Sequence, residues 1–152
     1  MNGPLIALIV AVAMEPVSAA VHRWFGHGPG WVFHRDHHAP TTWWERNDAI
    51  PLVFAGLSMV AFAIGVGVDG FAWLFWAATG ATAFGLTYAL VHDVYIHRRL
   101  RLLPRHVRWL EPWRQAHIEH HRTGGAPYGV LAPLAGKTRS NRTRRKDHEP
   151  SH

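Results

Sequence analysis

Three long apolar segments dominate the pattern of hydrophobic and polar positions along the chain. Residues 50–68 and 71–91 contain no charged side chain, and residues 4–21 contain only Glu15. The first two reach about the 20 residues that a helix needs to cross the hydrocarbon core of a bilayer. Only the turn-forming pair Asp69-Gly70 separates them. The pattern therefore predicts two membrane-spanning helices joined as a tight hairpin.

The segment 4–21 is long enough to be a third span, and a signal peptide is the alternative. A signal peptide needs a positively charged start and an unbroken apolar region, and this segment has neither, because Glu15 interrupts it. Residues 98–116 are basic, apolar and broken by two prolines. They fit an interfacial helix or a fourth, short and tilted insertion equally well. We therefore predict an all-α integral membrane bundle of three to four transmembrane helices.

The distribution of charge predicts the orientation of this bundle. Residues 1–136 carry 10 basic and 8 acidic side chains, whereas residues 137–146 carry six basic side chains and no acid. We predict a membrane domain over 1–136 and a basic, disordered tail over 137–152. With three spans, the loop 22–49 and everything after residue 91 lie on the same side as the tail. The positive-inside rule makes this side cytoplasmic, and we expect no nucleic-acid partner.

Composition sharpens this picture in two ways. The mean hydropathy of −0.07 is ordinary for a soluble protein, but it averages apolar spans with polar, histidine-rich connections. The chain also has 13 histidines and no cysteine. Without cysteine it has no disulfides, thiolate zinc sites, iron–sulfur clusters or cysteine nucleophile. Any metal chemistry must therefore use imidazole and carboxylate ligands.

Ten of the histidines form two copies of one pattern, H-x4-H followed by H-x2-H-H. In order they are His22, His27, His34, His37, His38, His92, His97, His117, His120 and His121. Positions i, i+3 and i+4 of a helix share a face, so the three histidines of each H-x2-H-H motif are expected to converge on one point. In the H-x4-H pairs the two residues lie about 140° apart on a regular helix. For the first pair, the glycines after His27 can end the helix there, so that His27 bends inward. His92 and His97 either face different metals or lie on a distorted helix end.

Ten imidazoles exceed what one first-row metal ion can bind, so the pattern predicts two metals. Imidazole suits iron, zinc, copper and nickel, and ligand type alone does not choose among them. Carboxylates near the motifs can orient the rings by accepting their second N–H group. The candidates for this role are Glu15, Asp36, Asp93 and Glu119, with Glu45 and Asp48 a few residues further along.

These motifs resemble the membrane fatty acid hydroxylase superfamily, and within it the bacterial carotene β-hydroxylases. The resemblance covers about residues 10–135. It rests on the four histidine motifs, on Met14-Glu15 ahead of the first one, and on Asn47-Asp48 at the start of an apolar run. The pair His92-Asp93 narrows the resemblance from the superfamily to the carotenoid hydroxylases.

The resemblance implies a cytoplasmic, histidine-rich cap in which the ten histidines hold two iron ions. It also implies O2 as oxidant and hydroxylation of carbon 3 of the β-ionone ring, from β-carotene through β-cryptoxanthin to zeaxanthin. Because the chain has no nucleotide-binding motif, electrons would come from a separate donor, and the resemblance implies that this donor is a ferredoxin. An arginine-rich stretch, Arg98, Arg99, Arg101, Arg105 and Arg108, is a candidate docking surface for this acidic donor.

Two other functions compete with this interpretation. The first is another lipid-modifying activity of the superfamily, such as a carotenoid ketolase or a sterol or fatty acid hydroxylase or desaturase. The second is a membrane metal-binding or transport protein. A transporter is expected to place polar ligands near the middle of its spans, whereas the ten histidines follow the span ends on one side.

Overall fold

The computed structural model describes residues 2–39 and 43–132, and these residues form helices and no strands. The α-helices are α1 (Gly3–Ala20), α2 (Trp31–His38), α3 (Ala49–Gly67), α4 (Ala72–Ala89) and α5 (Glu111–Thr123). Two π-helical turns, Val21–Gly26 and Leu90–Ile96, extend α1 and α4, and a short 3₁₀ turn, Arg46–Asp48, precedes α3.

Three continuous helical stretches are long and apolar enough to cross a membrane, namely Gly3–Gly26, Arg46–Gly67 and Ala72–Ile96. They confirm the three predicted spans, and the π-helical turns lengthen the first and third beyond the predicted ends. The turn between α3 and α4 contains Gly70 at a φ of 83°, which glycine adopts without steric cost. The predicted tail 137–152 and the domain boundary at residue 136 lie outside the described residues.

Helix α4 lies between α1 and α3 and packs against both. The approach to α1 is very close at Gly80, where a Cβ atom would lie 2.2 Å from the carbonyl oxygen of Ala7. The approach to α3 is close at Gly65, where a Cβ atom would lie 2.4 Å from the backbone nitrogen of Phe75. Small residues at such points allow helix backbones to pack tightly within a membrane.

The spans expose apolar side chains and bury few of them. Neither α1 nor α3 contains a buried residue, and Met59 and Val66 of α3 are 71% and 77% exposed. A soluble domain would hide such surfaces, whereas hydrocarbon tails solvate them. The outward surface of the bundle therefore fits a lipid environment.

In contrast to the apolar surface of the spans, the buried side chains at one end of the bundle are mostly polar. The polar members of this core are His34, His37, Glu45, Asp48, His92, His117 and His120. Beside them Val91, Tyr95, Leu110 and Val130 form a small apolar cluster. Because buried polar groups need hydrogen-bond partners, the arrangement of this core is set by pairing rather than by apolar packing alone.

Of residues 98–116, only those from Glu111 onward are helical. Arg98 has a φ of 58°, and its guanidinium donates to the carbonyl oxygens of Leu103 and Pro104, both at 2.9 Å. This side chain closes the irregular segment into a loop. The described residues thus contain three helices of spanning length and no fourth.

A comparison of two glycine substitutions tests the close packing of α1 on α4. In Gly80→Ala the new Cβ overlaps the Ala7 carbonyl, so we expect a loss of about 1–3 kcal/mol of stability from overpacking. In Gly56→Ala the new Cβ meets nothing within 4 Å, so stability should be unchanged or slightly higher. Thermal unfolding in detergent measures both, and equal melting temperatures for the two variants would contradict the packing.

Candidate metal centre

The two H-x4-H motifs lie on the π-helical turns. A π-helix hydrogen-bonds residue i+5 to residue i, and here the amide of His27 donates to the carbonyl of His22 at 3.0 Å and that of His97 to His92 at 2.9 Å. The wider turn brings the two rings of each pair onto the same side, with centroids 5.1 Å and 4.6 Å apart. For His92 and His97 the distorted helix end is therefore the observed arrangement, and both rings face the same cluster.

The H-x2-H-H motifs lie on the short helices α2 and α5, and their three histidines do not converge on one point as expected. His34 and His38 join one cluster, whereas His37 faces another. In α5, His117 and His120 separate in the same way. The reason is geometric: residue i+4 lies about 40° to one side of residue i and residue i+3 about 60° to the other.

The ring nitrogens form two separate clusters, in each of which the possible ligand atoms lie within 4.8 Å of one another. The first cluster comprises His22, His27, His34, His38 and His120, and the second comprises His37, His92, His97 and His117. Each cluster draws one member from the opposite half of the chain, namely His120 for the first and His37 for the second. Neither half of the sequence can therefore complete a cluster alone.

The tenth histidine, His121, lies between the two clusters. Its Nε2 atom is 3.2 Å from the Nε2 atom of His37, and its ring stacks on that of His38 with centroids 4.4 Å apart. The contact with His37 places His121 beside the four histidines of the second cluster, as a possible fifth ligand.

The spacing between ring nitrogens suits a bound metal ion. Nε2 atoms lie 2.9 Å apart between His22 and His34, 3.1 Å apart between His27 and His120, and 2.9 Å apart between His97 and His117. Two ligands at right angles on an ion, each at a metal–nitrogen distance of about 2.1 Å, would be about 3.0 Å apart. The observed distances match this value.

The partners of the opposite ring nitrogens place the protons. In the first cluster, Nδ1 of His22 donates to the Tyr128 carbonyl at 2.8 Å and Nδ1 of His34 to Oδ1 of Asn47 at 2.8 Å. Since a neutral imidazole has one N–H group, the Nε2 atoms of both rings carry bare lone pairs and face each other. Only a cation between them relieves the repulsion of these lone pairs.

A proton is a poor candidate for this cation. Burial lowers the pKa of His34 to about 4 and that of His120 to about 4. Burial also holds the pKa of His37 far below its usual range. These rings are therefore neutral at pH 7, which is the protonation state that binds metal. The donor set fits a divalent metal of the first row.

Two acceptors, the buried Glu45 and the half-buried Asn47, come from the loop and 3₁₀ turn before α3. Glu45 accepts the Nδ1–H group of His37 at 2.9 Å, and Oδ1 of Asn47 accepts that of His34 at 2.8 Å. The sequence analysis placed Glu45 near the motifs and named Asn47 in the family resemblance, but it assigned neither residue to a histidine, and no sequence feature pointed to the backbone carbonyls. These acceptors become recognisable only when the loop is folded onto α2.

Arg99 holds this loop against the second half of the chain. Its guanidinium donates to Oδ2 of Asp48 at 2.7 Å and to the carbonyl of Trp43, and Asp48 also accepts the amide of Glu45 at 3.1 Å. Because Arg99 lies two residues after His97, this ion pair links the acceptors of α2 to the second π-helical turn.

The four predicted carboxylates have different positions. Asp93 lies at the centre, where it accepts the Nδ1–H group of His92 at 2.8 Å. Asp36 and Glu119 lie on the surface, where they pair with Arg46 and Arg122 respectively and do not reach a ring nitrogen. Each of these two carboxylates pairs with a nearby arginine at the surface, where both charges remain partly solvated.

The fourth carboxylate, Glu15, reaches the histidines indirectly. Its Oε1 atom accepts the amides of Leu131 and Ala132 at 3.0 Å and 2.9 Å. These residues end a segment that we call the strap, residues 124–132, which returns from α5 to α1. On the way the strap provides the carbonyls of Gly125 to His120 and of Tyr128 to His22. Glu15 therefore fixes the segment that orients two rings of the first cluster.

A mostly apolar cavity of about 610 Å³ lies between α1, α3 and α4. One end is formed by His22 and His34 of the first cluster and by His37 and His92 of the second. The opposite end, within the spans, is lined by aromatic side chains such as Phe62. An apolar molecule in this cavity would have one end against both clusters.

Curated proteins with similar sequences carry closely related names. The chain is 39% identical over 124 residues to the β-carotene hydroxylase of Pseudescherichia vulneris, covering 80% of this chain and 69% of that protein. It is 35% identical to the β-carotene hydroxylase of Paracoccus sp. (strain PC1), covering 97% and 98%. The chloroplastic β-carotene 3-hydroxylase 1 of Arabidopsis thaliana is 34% identical, covering 80% of this chain and 41% of that protein. No family model and no solved structure matches the chain.

Removal of the Glu15 carboxylate tests the role of the strap. In Glu15→Leu the amides of Leu131 and Ala132 lose their acceptor, so the carbonyls of the strap should no longer orient His22 and His120. We expect metal affinity to fall about 10–100-fold, the usual cost of losing such support. Chelator competition measures this, with Asp36→Asn as the control, because Asp36 pairs with Arg35 and Arg46 and, among the described residues, with no histidine. Unchanged affinity in Glu15→Leu would contradict the role of the strap.

Proposed function

This chain belongs to the β-carotene hydroxylase family, and we propose that it is a membrane-bound, O2-dependent, non-haem di-iron monooxygenase. Its proposed reaction is hydroxylation of carbon 3 of the β-ionone ring of carotenoids, which converts β-carotene through β-cryptoxanthin to zeaxanthin. The observation that carries the proposal is the apolar cavity, because it ends on histidines of both clusters.

Two iron ions would be held by the two clusters, with His121 added to the second. When bound, the iron would supply the oxidising power that an unactivated C–H bond requires. Each hydroxylation consumes O2, two electrons and two protons, and it yields the alcohol and water. The contribution of the chain is to hold ten imidazoles in place and to surround them with the apolar cavity, the strap and the loop before α3.

The dimensions of the cavity suit one end of a long apolar substrate. Along α4 and its π-helical turn the lining extends from Ala81 to Asp93, a distance of about 18 Å at 1.5 Å per residue. A carotenoid is about as long as the hydrocarbon core of a bilayer, about 30 Å. The cavity can therefore enclose one ring and part of the polyene chain, so that the ring lies against the histidines and the remainder extends towards lipid.

A separate electron donor is part of the proposal, and we propose a ferredoxin. The chain has no cysteine and thus no iron–sulfur cluster of its own. Of the arginines expected to bind the donor, Arg98 and Arg99 are engaged within the protein. Arg101, Arg105 and Arg108 are exposed, and they leave a smaller basic surface for an acidic partner.

The proposed location is the cytoplasmic membrane, with the histidine clusters on the cytoplasmic side. An odd number of spans puts residues 27–39, 43–45 and 97–132 at the same end of the bundle. Six basic residues between 137 and 146 follow in the sequence, and the positive-inside rule associates such residues with the cytoplasm. A cytoplasmic site is also accessible to a soluble electron donor.

Expression in cells that accumulate β-carotene tests the activity. We expect β-cryptoxanthin and zeaxanthin in the pigment extract, separated by chromatography. In His120→Ala both products should disappear, because His120 belongs to the first cluster and is fully buried. The control is His106→Ala, since the side chain of His106 is 78% exposed. Ketocarotenoids in place of the hydroxylated products, or no new pigment, would contradict the proposal.

A substitution in the cavity separates substrate binding from metal binding. Gly85 lines the cavity, and a Cβ atom there meets nothing within 4 Å, so the side chain of Gly85→Leu should occupy the space proposed for the substrate. We expect at least about a tenfold loss of hydroxylation, since a steric mismatch in an apolar substrate pocket costs about 1–3 kcal/mol, with the metal content unchanged. Gly56→Leu, on the exposed face of α3, is the control. Full activity in Gly85→Leu would show that the substrate lies elsewhere.

A further inference from the structure

The two histidine clusters differ in the acceptors of their Nδ1–H groups. In the second cluster, both acceptors that the structure shows are carboxylates: Glu45 accepts from His37 at 2.9 Å, and Asp93 accepts from His92 at 2.8 Å. In the first cluster, the three acceptors are neutral oxygens. They are the carbonyls of Tyr128 and Gly125 and the side-chain amide of Asn47.

This difference changes the imidazoles as ligands. A carboxylate acceptor polarises the N–H group and raises the basicity of the opposite nitrogen, which then binds metal more strongly. Its negative charge also offsets part of the charge of the ion. A neutral carbonyl fixes the ring orientation equally well, but it provides less of both effects, because hydrogen bonds to a charged acceptor are about twice as strong.

The charge of Glu45 is only partly offset by its surroundings. Glu45 is 5% exposed, so water screens it weakly. The nearest cation, Arg99, makes its short contacts with Asp48 and the Trp43 carbonyl. Arg99 therefore attracts Glu45 without a short contact, whereas His37 donates to the Glu45 carboxylate directly at 2.9 Å.

We propose that the two clusters bind unequal metal ions: the second cluster binds its ion more tightly and stabilises its oxidised form more than the first cluster does. The inference rests on the metal occupancy in the proposed function, but it does not depend on the substrate. Glu45 and Asp93 would act as tuning residues, through His37 and His92 respectively. The near-repeat of the two histidine patterns in the sequence thus hides a chemical asymmetry.

Titration of the metal-free protein in detergent with Co²⁺, followed by visible absorption, tests this inference. The wild type should bind two ions in a tighter and a weaker step. In Glu45→Gln the amide oxygen can still accept from His37, but the negative charge is lost. The tighter step should therefore weaken about 10–100-fold, while the weaker step is unchanged. Mössbauer spectra of the protein loaded with ⁵⁷Fe²⁺ and partly oxidised should contain two iron environments, one oxidised before the other.

The reciprocal substitution in the first cluster distinguishes a loss of charge from damage to the fold. Asn47→Asp gives His34 of the first cluster a carboxylate acceptor, so the weaker step should tighten and approach the other. Damage to the fold does not increase affinity. Glu119→Gln is the matched control, because Glu119 pairs with Arg122 on the surface.

Two ions of equal affinity in the wild type, or equal effects of Glu45→Gln on both steps, would overturn the inference. An Asn47→Asp variant that does not tighten the weaker step would also overturn it. A protein that binds two unequal ions but forms no hydroxylated carotenoid would contradict the proposed function and leave this inference intact.

Discussion

The convergence of imidazole rings from four sequence motifs at one end of the bundle governs how the surrounding segments pack. Five rings direct their Nδ1–H groups outward to fixed oxygens, which leaves their Nε2 atoms as the possible metal ligands, and those of His22 and His34 lie 2.9 Å apart. Such an arrangement is repulsive unless a metal ion occupies its centre. The π-helical turns, the crossing of His37 and His120 between clusters, the strap and the loop before α3 all hold rings or their acceptors in this geometry.

The polarity of the protein is distributed accordingly. The spans expose apolar side chains and bury little, whereas the histidine end buries polar groups and pairs them. Lipid can solvate the former surface, and hydrogen bonds satisfy the latter. The cavity joins these two environments, because its walls are apolar and one end is made of histidines. An apolar substrate could therefore reach the clusters from the bilayer without crossing water.

Arg99 and Glu15 tie the centre to the remaining structure in comparable ways. Each is a charged side chain that joins segments distant in sequence: Arg99 holds Asp48, and Glu15 holds the end of the strap at Leu131. The segments they hold carry oxygens that accept from histidine rings. Both residues therefore act on the rings through backbone and loop position rather than by direct contact.

The three spans and the all-helical class were predictable from the chain alone, because the length of an apolar segment is a local property. The spacing of the histidines is local too, and it singled out ten of them as candidate ligands. It could not determine which histidines share an ion: in α2, His37 leaves His34 and His38 for the opposite cluster. Nor could it determine the acceptors Asn47, Gly125 and Tyr128. Those pairings arise between residues up to 106 positions apart, so only the tertiary structure decided them, through the packing that brings the strap and the loop onto the rings.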